Sequence, residues 1–125
     1  MTDEQTAAAG PGWTLSGRDG GGRPVTIVVD ETILRRADLG LAVGRHPDLA
    51  ELVVDDPSVS RRHARLSIGA DGLVIEDLNS LNGTEVDGKP LQPFEAAVLQ
   101  PGQFLALGAI GLRVERRGGN PPAGG

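Results

Sequence analysis

The sequence has no cysteine, no tyrosine, one tryptophan and two phenylalanines among its 125 residues. Without cysteine there is no disulfide scaffold, no thiol nucleophile and no thiolate site for zinc or an iron–sulfur cluster. Two histidines make a poor metal set, and no metal or cofactor is expected. With so few aromatics the core has to be aliphatic. Hydrophobic residues make up 38% of the chain, ordinary globular usage once the 19 glycines are added. No apolar run approaches the ~18 residues of a membrane-spanning helix. The first residues, Met1-Thr2-Asp3-Glu4-Gln5, are acidic and lack the apolar stretch of a secretory signal, so the expected compartment is the cytoplasm. Lysine is nearly missing as well, and Lys89 stands alone beside the arginines. The 12 basic residues face 17 acidic ones, a net charge of −5. Such a chain is a poor general binder of nucleic acid, because most of that affinity comes from neutralising phosphates. Arginine still recognises a single oxyanion through its planar fork.

The length suits one domain. Residues 1–11 read as a flexible acidic tail, and residues 118–125, Gly-Gly-Asn-Pro-Pro-Ala-Gly-Gly, as a disordered one. The folded part is expected over 12–117. Within it the signal is short strands. Val25–Val29 is β-branched, Leu39–Val43 is apolar, and Leu52–Val54 is stopped by Asp55-Asp56-Pro57. Ala64–Ile68 alternates strictly, Asp71-Gly72 breaks it and Leu73–Ile75 follows, which predicts a hairpin. Thr84–Val86 and Lys89–Leu91 around Asp87-Gly88 predict a second. Phe104–Leu107 and Leu112–Glu115 predict a third, with Gly108–Gly111 as its loop. Ile33, Leu34, Ala37 and Leu41 would also suit one helix face, but Gly40 favours loop followed by strand. The fold class is all-β, a sandwich or barrel.

Two catalytic readings fail. Gly83-Thr84-Glu85-Val86-Asp87-Gly88-Lys89 satisfies the glycine spacing of a nucleotide-binding loop, but Pro90 stands where a magnesium-binding hydroxyl is needed. Pro93 would interrupt the helix that must follow. Ser58, Ser60 and His63 beside Asp55 and Asp56 crowd into a short stretch without a nucleophile elbow. An enzyme is not expected.

Three blocks carry the stronger signal: Gly44-Arg45, then Ser58-Val59-Ser60-Arg61-Arg62-His63, then Asn79-Ser80-Leu81-Asn82-Gly83-Thr84. Each falls in or beside a loop between strands. Converging at one end of a sandwich, their guanidinium, hydroxyl and amide groups would make an oxyanion pocket. In order and spacing they resemble the pattern of the forkhead-associated (FHA) domain: Gly-Arg, then Ser-x-x-His, then Asn-Gly. The resemblance spans roughly residues 13–115. It implies a β-sandwich of about eleven short, mostly antiparallel strands that binds phosphothreonine peptides through loops at one end.

The same resemblance implies the site. Arg45 and Ser60 would bind the phosphate, with Arg61 beside them; Arg62 reads as a solvated charge that could touch the peptide. Asn82 would bond the ligand backbone, and Ser80 is a further candidate for the phosphate. Gly44, His63 and Gly83 would be scaffold, Gly44 by letting the chain turn and Gly83 by adopting a positive φ. Leu81 departs from members that carry threonine there and lacks that hydroxyl; its backbone N–H or Ser80 would have to compensate. Specificity would come from residues 46–58 and the loop at Gly108–Gly111, with some discrimination against acidic neighbours of the phosphothreonine. From Gly44 to Arg65 the arginines and carboxylates balance, so the site is a focused pocket and not a basic face. The function implied is a non-catalytic adaptor downstream of a bacterial Ser/Thr kinase, its partners being phosphothreonine-containing proteins. The alternative is a phosphate-independent structural or oligomerisation module of the same fold. Thr2 and Thr6 suggest a tail that, once phosphorylated, folds back and blocks the pocket.

Overall fold

Alternation of apolar and polar residues lays down the strands, and the turn residues between them set where each one ends. The structure, a computed structural model, describes residues 10–118. The expected tails, Thr2 and Thr6 included, lie outside the described residues except for Gly10, Pro11 and Gly118. In chain order the elements are β1 (Gly12–Arg18), β2 (Pro24–Asp30), α1 (Glu31–Arg36), β3 (Leu41–Gly44), β4 (Leu52–Val53) and β5 (Ala64–Gly69). Then come β6 (Gly72–Asp77), β7 (Thr84–Val86), β8 (Lys89–Pro90), β9 (Ala96–Val98), β10 (Phe104–Leu107) and β11 (Ile110–Arg117).

The strands form two sheets, β2-β1-β11-β10-β7-β8 and β4-β3-β5-β6-β9. β3 and β4 run parallel, and the pairs on either side of them in the two sheets are antiparallel. β11 buries Ile110, Leu112 and Val114 and exposes the residues between them. β5 and β6 bury Ala64, Leu66, Leu73 and Ile75, with Leu66 opposite Ile75. Between the sheets these pack with Leu15, Val29, Val43, Leu105 and Leu107 into one aliphatic cluster. Trp13 lies at its margin, stacked under the Arg116 guanidinium at 4.5 Å from the ring centroid.

Several local expectations change. Residues 31–36 form a helix, not a loop. Asp30 caps it by accepting from the Ile33 N–H at 3.0 Å, Glu31 opens it and Arg35 and Arg36 close it, as the helix dipole favours. Only Leu34 is buried on it. The helix ends before Gly40, so that glycine never weighs against it. β1 was not anticipated, although Trp13 and Leu15 alternate with Thr14 and Ser16; nor was β9, whose small residues show no alternation. In the β5–β6 hairpin Gly72 already pairs with Gly69, so Ala70 and Asp71 form the turn. In the last hairpin the loop shrinks to Gly108-Ala109, because Ile110 pairs with Leu107 and is fully buried. The β7–β8 hairpin matches expectation: Asp87 and Gly88 have φ of 51° and 81°, as a type I′ turn requires.

The topology sends the β3–β4, β4–β5 and β6–β7 connections and the β10–β11 turn to the same end of the sandwich, where hydrogen bonds join them. Leu66 sits at the centre of the smaller sheet with no solvent exposure. Leu66→Ala should cost about 2–5 kcal/mol, as for other buried leucines that leave a cavity, with urea denaturation as the check.

Candidate functional site

Gly44 ends β3 in an ordinary extended conformation, not in a turn. Its role differs from the one expected. A Cβ there would overlap the Arg61 carbonyl, so glycine is needed for the β4–β5 loop to lie flat against β3. The loop is then tied down on both sides of that contact. The Arg45 N–H donates to the Ser60 carbonyl at 3.0 Å and the His46 N–H to the Arg61 carbonyl at 3.2 Å. The Arg45 Nε donates to the Val59 carbonyl at 3.0 Å. This fixes the guanidinium plane and leaves both terminal nitrogens without a partner among the described residues.

His63 is fully buried. Its Nδ1 accepts from the Ser60 N–H at 3.0 Å, and its Nε2 lies 2.9 Å from the Gly83 carbonyl. A backbone N–H only donates and a carbonyl only accepts, so the proton is on Nε2 and the ring is neutral. Burial pushes its pKa down, against the smaller upward pull of the Gly83 carbonyl and the Asp77 charge. Its backbone is held too: its N–H donates to the Val43 carbonyl at 2.8 Å, and its carbonyl accepts from Leu78 at 3.0 Å. Both nitrogens face backbone, so the ring is not a base for the Ser60 hydroxyl. It is a brace across three segments.

Asp77 performs the matching task at the end of β6. It is 3% exposed. One carboxylate oxygen accepts from the Ser80 and Thr84 hydroxyls, each at 2.6 Å. The other accepts from the N–H groups of Asn79 and Ser80 at 3.0 and 3.1 Å. Burial alone would raise its pKa, but the hydrogen bonds from Ser80 and Thr84 outweigh it and hold the group ionised below its usual range. Gly83 then takes a φ of 92° with open space around it.

A groove of about 520 Å³ opens between these loops, lined by Arg45, Ser60, Arg61, Arg62, Leu81 and Asn82 among others. Arg45, Ser60, Arg61 and Asn82 therefore meet there, and Arg62, expected as a solvated charge, lines the groove as well. Ser80 does not. Its one hydroxyl proton goes to Asp77, and its oxygen accepts from the Gly83 N–H at 3.0 Å; it shapes the loop from inside. The Leu81 N–H is also spent, on the Ser60 Oγ at 3.0 Å. Neither compensation for the missing hydroxyl at Leu81 is therefore in place. The Ser60 oxygen is oriented by that bond, and its proton stays available.

Ser58 was not singled out as a site residue, yet it joins three segments. Its carbonyl accepts from Asn82 Nδ2 at 2.9 Å, its Oγ accepts from the Ala109 N–H at 2.9 Å, and its N–H donates to Asp56 at 2.9 Å. A Cβ at Gly108 would overlap the Ser58 carbonyl, so glycine is needed there as well. Hydrogen bonds from the Ser58 hydroxyl and N–H lower the Asp56 pKa. Two acids of the 46–58 stretch are engaged within the protein: Asp56 accepts from Ser58, and Glu51, although exposed, accepts from the Ala42 N–H at 2.7 Å. The hydrogen-bonding roles of Ser58 depend on contacts far apart in sequence and leave no local signature.

The proton state of His63 has a measurable consequence. A histidine pKa depressed in the folded state contributes stability that is complete above its unfolded value of 6.5 and is lost as pH falls below it. Asp77 contributes with the same sign lower down, below its ordinary 3.8. The unfolding free energy should fall between about pH 7.5 and 5.5, and His63→Gln, less stable overall, should flatten that slope. Urea titrations at several pH values decide it. An equal slope in the variant would place the dependence elsewhere.

A family model described as the FHA domain matches residues 41–108. The oxoglutarate dehydrogenase inhibitor of Corynebacterium jeikeium is 39% identical over 71 residues, 57% of this chain and 46% of that protein. The match spans less than half the length of that relative. Among solved structures, the FHA domain of the CT664 protein from Chlamydia trachomatis superposes with a TM-score of 0.63 at 30% identity, covering 82% of this chain and 95% of that one. A domain solved in a structural and functional analysis of phosphothreonine-dependent FHA domain interactions gives a TM-score of 0.59 at 30% identity, covering 87% and 97%.

Proposed function

The chain belongs to the FHA domain family, and from that premise we propose that it is a non-catalytic module that binds phosphothreonine peptides and so joins proteins downstream of a Ser/Thr kinase. The observation that carries this reading is the pairing of Arg45 and Ser60 on one groove. The arginine plane is fixed through Nε and the serine oxygen is held by the Leu81 N–H, while the arginine's terminal nitrogens and the serine's proton have no partner among the described residues. A phosphothreonine carries about −1.5 to −2 charge and three acceptor oxygens. It suits a fork of charged donors beside a single hydroxyl donor, and charge-assisted bonds of this kind are the stronger ones.

The other groups take supporting roles. Arg61 and Arg62 line the groove and have no side-chain partner among the described residues, so they add positive charge at its margin. Asn82 has one amide hydrogen bonded to Ser58. Its second hydrogen and its carbonyl oxygen remain for the backbone of an extended ligand, which sets register without reading side chains. Ser80, Asp77 and His63 act through the loops they hold. No helix among the described residues is long and apolar enough to cross a membrane.

A site this small should bind in the micromolar range, about −8 kcal/mol. In calorimetric titrations of a phosphothreonine peptide library, Arg45→Ala should abolish measurable binding and Ser60→Ala should weaken it about tenfold, as loss of a hydrogen bond to a charged group predicts. Unphosphorylated peptides should not bind. Phosphate-independent binding, or a folded protein that takes none of the phosphopeptides, would overturn the reading in favour of a structural module.

A further inference from the structure

An edge strand presents a row of unpaired N–H and C=O groups, and proteins protect such edges with shortness, proline or charge. Three of the four edges of the two sheets are protected in this way. β4 and β8 are two residues long, β9 is three, and β8 carries Pro90. β2 differs. It runs for seven residues and is paired on one side only among the described residues, with β1. From Val25 to Val29 every residue is β-branched and none is charged.

The register with β1 shows which backbone groups are open. The Asp19 N–H donates to the Arg23 carbonyl and the Glu31 N–H to the Pro11 carbonyl, each at 2.9 Å. Between these two, bonded and non-bonded pairs alternate along the antiparallel ladder. Val25, Ile27 and Val29 therefore bond to Gly17, Leu15 and Trp13. Thr26, Val28 and Asp30 turn their N–H groups to the open side, and Pro24 its carbonyl. Thr26 is exposed there and Val28 is 54% exposed.

We propose that this edge binds a second copy of the same chain, β2 against β2, antiparallel about a two-fold axis at Ile27. The register is self-complementary. Thr26 and Val28 of each copy meet Val28 and Thr26 of the other as hydrogen-bonded pairs, and each Pro24 carbonyl meets the other copy's Asp30 N–H. Arg23, whose side chain is 87% exposed, comes beside Asp30 and Glu31 of the second copy, so opposite charges meet at both ends of the interface. The two six-stranded sheets become one. Pro24 pairs with Arg18, which also pairs with Gly111, so that end of β2 is the groove end. The two grooves therefore point in opposite directions, away from the interface. Pairing of this kind is independent of what the groove binds.

The test uses the full chain. Sedimentation equilibrium from about 10 µM to 1 mM should show monomer passing to dimer, because one strand pairing is smaller than a stable interface of ~1,200–2,000 Å². Amide exchange followed by NMR reads the register. Val25, Ile27 and Val29 should be protected at every concentration, and Thr26, Val28 and Asp30 only where the dimer forms. Val28→Pro removes an open-side N–H and spares the ladder with β1; it should weaken the dimer about tenfold or more, from the loss of two hydrogen bonds per pair. Arg23→Glu should weaken it about threefold in low salt. Thermal melts confirm folding, and Arg23→Glu, at an exposed position, carries the test if Val28→Pro does not fold. A monomer throughout would leave the edge to a different protein and overturn the proposal. A dimer unchanged in the folded variants would overturn it too. So would protection of Thr26 and Val28 in the monomer, since another segment of this chain would then cover the edge.

Discussion

The loops at the ligand end are held together by one imidazole that has no access to solvent. His63 takes the Ser60 N–H on one nitrogen and gives a hydrogen to the Gly83 carbonyl from the other. Those two backbone groups belong to two of the loops that line the groove. The arrangement works only for the neutral ring, because a protonated one would set its Nδ1 hydrogen against the Ser60 N–H. Burial enforces that state. The Asp77 carboxylate completes the frame by collecting donors from the β6–β7 loop and from Thr84. Removing either group would leave buried donors or acceptors unpaired, which costs more than the bond itself contributes.

Around this frame the polar side chains divide into two sets. Ser58, Ser80 and Thr84 spend their hydroxyls on the protein. Among the described residues Ser60 finds no acceptor for its proton, Arg45 none for its terminal nitrogens, and Asn82 keeps one amide hydrogen and its carbonyl oxygen. The division follows from the hydrogen-bond inventory of each group. A serine has one proton to give, so a serine that gives it to Asp77 has none left for a ligand. Residues of the same type thus do different work: Ser60 faces the groove and Ser80 stays inside its loop.

Much of the fold was legible as pattern. The strict alternation of Ala64–Ile68, the Asp-Gly turn at Asp87-Gly88 and the run Phe104–Leu107 each record a local requirement of a half-buried strand or a tight hairpin. What escaped was contextual. The helix at Glu31–Arg36 is a short element with a single buried residue, too little for periodicity to outweigh a nearby glycine. β9 has small residues that any conformation accepts, and it exists as a strand because it pairs with β6. Gly44 and Gly83 look alike in sequence, yet one is required by a neighbour's carbonyl and the other by its own dihedral angle.

The sequence by itself determined the class of fold and the family, and it offered the candidates from which the site is proposed. These are encoded locally, in alternation, turn chemistry and the order of short blocks. The tertiary structure decided which of those residues remain free to meet a ligand. That choice depends on hydrogen bonds between segments about twenty or more positions apart, Ser60 with Leu81 and Ser58 with Asn82 and Ala109. A polar group shows whether it is spent or available only once its partner has been brought beside it. The same holds for Leu81. Its aliphatic character is plain in the sequence, but its placement on the wall of an anion groove follows from loops pinned on either side of it.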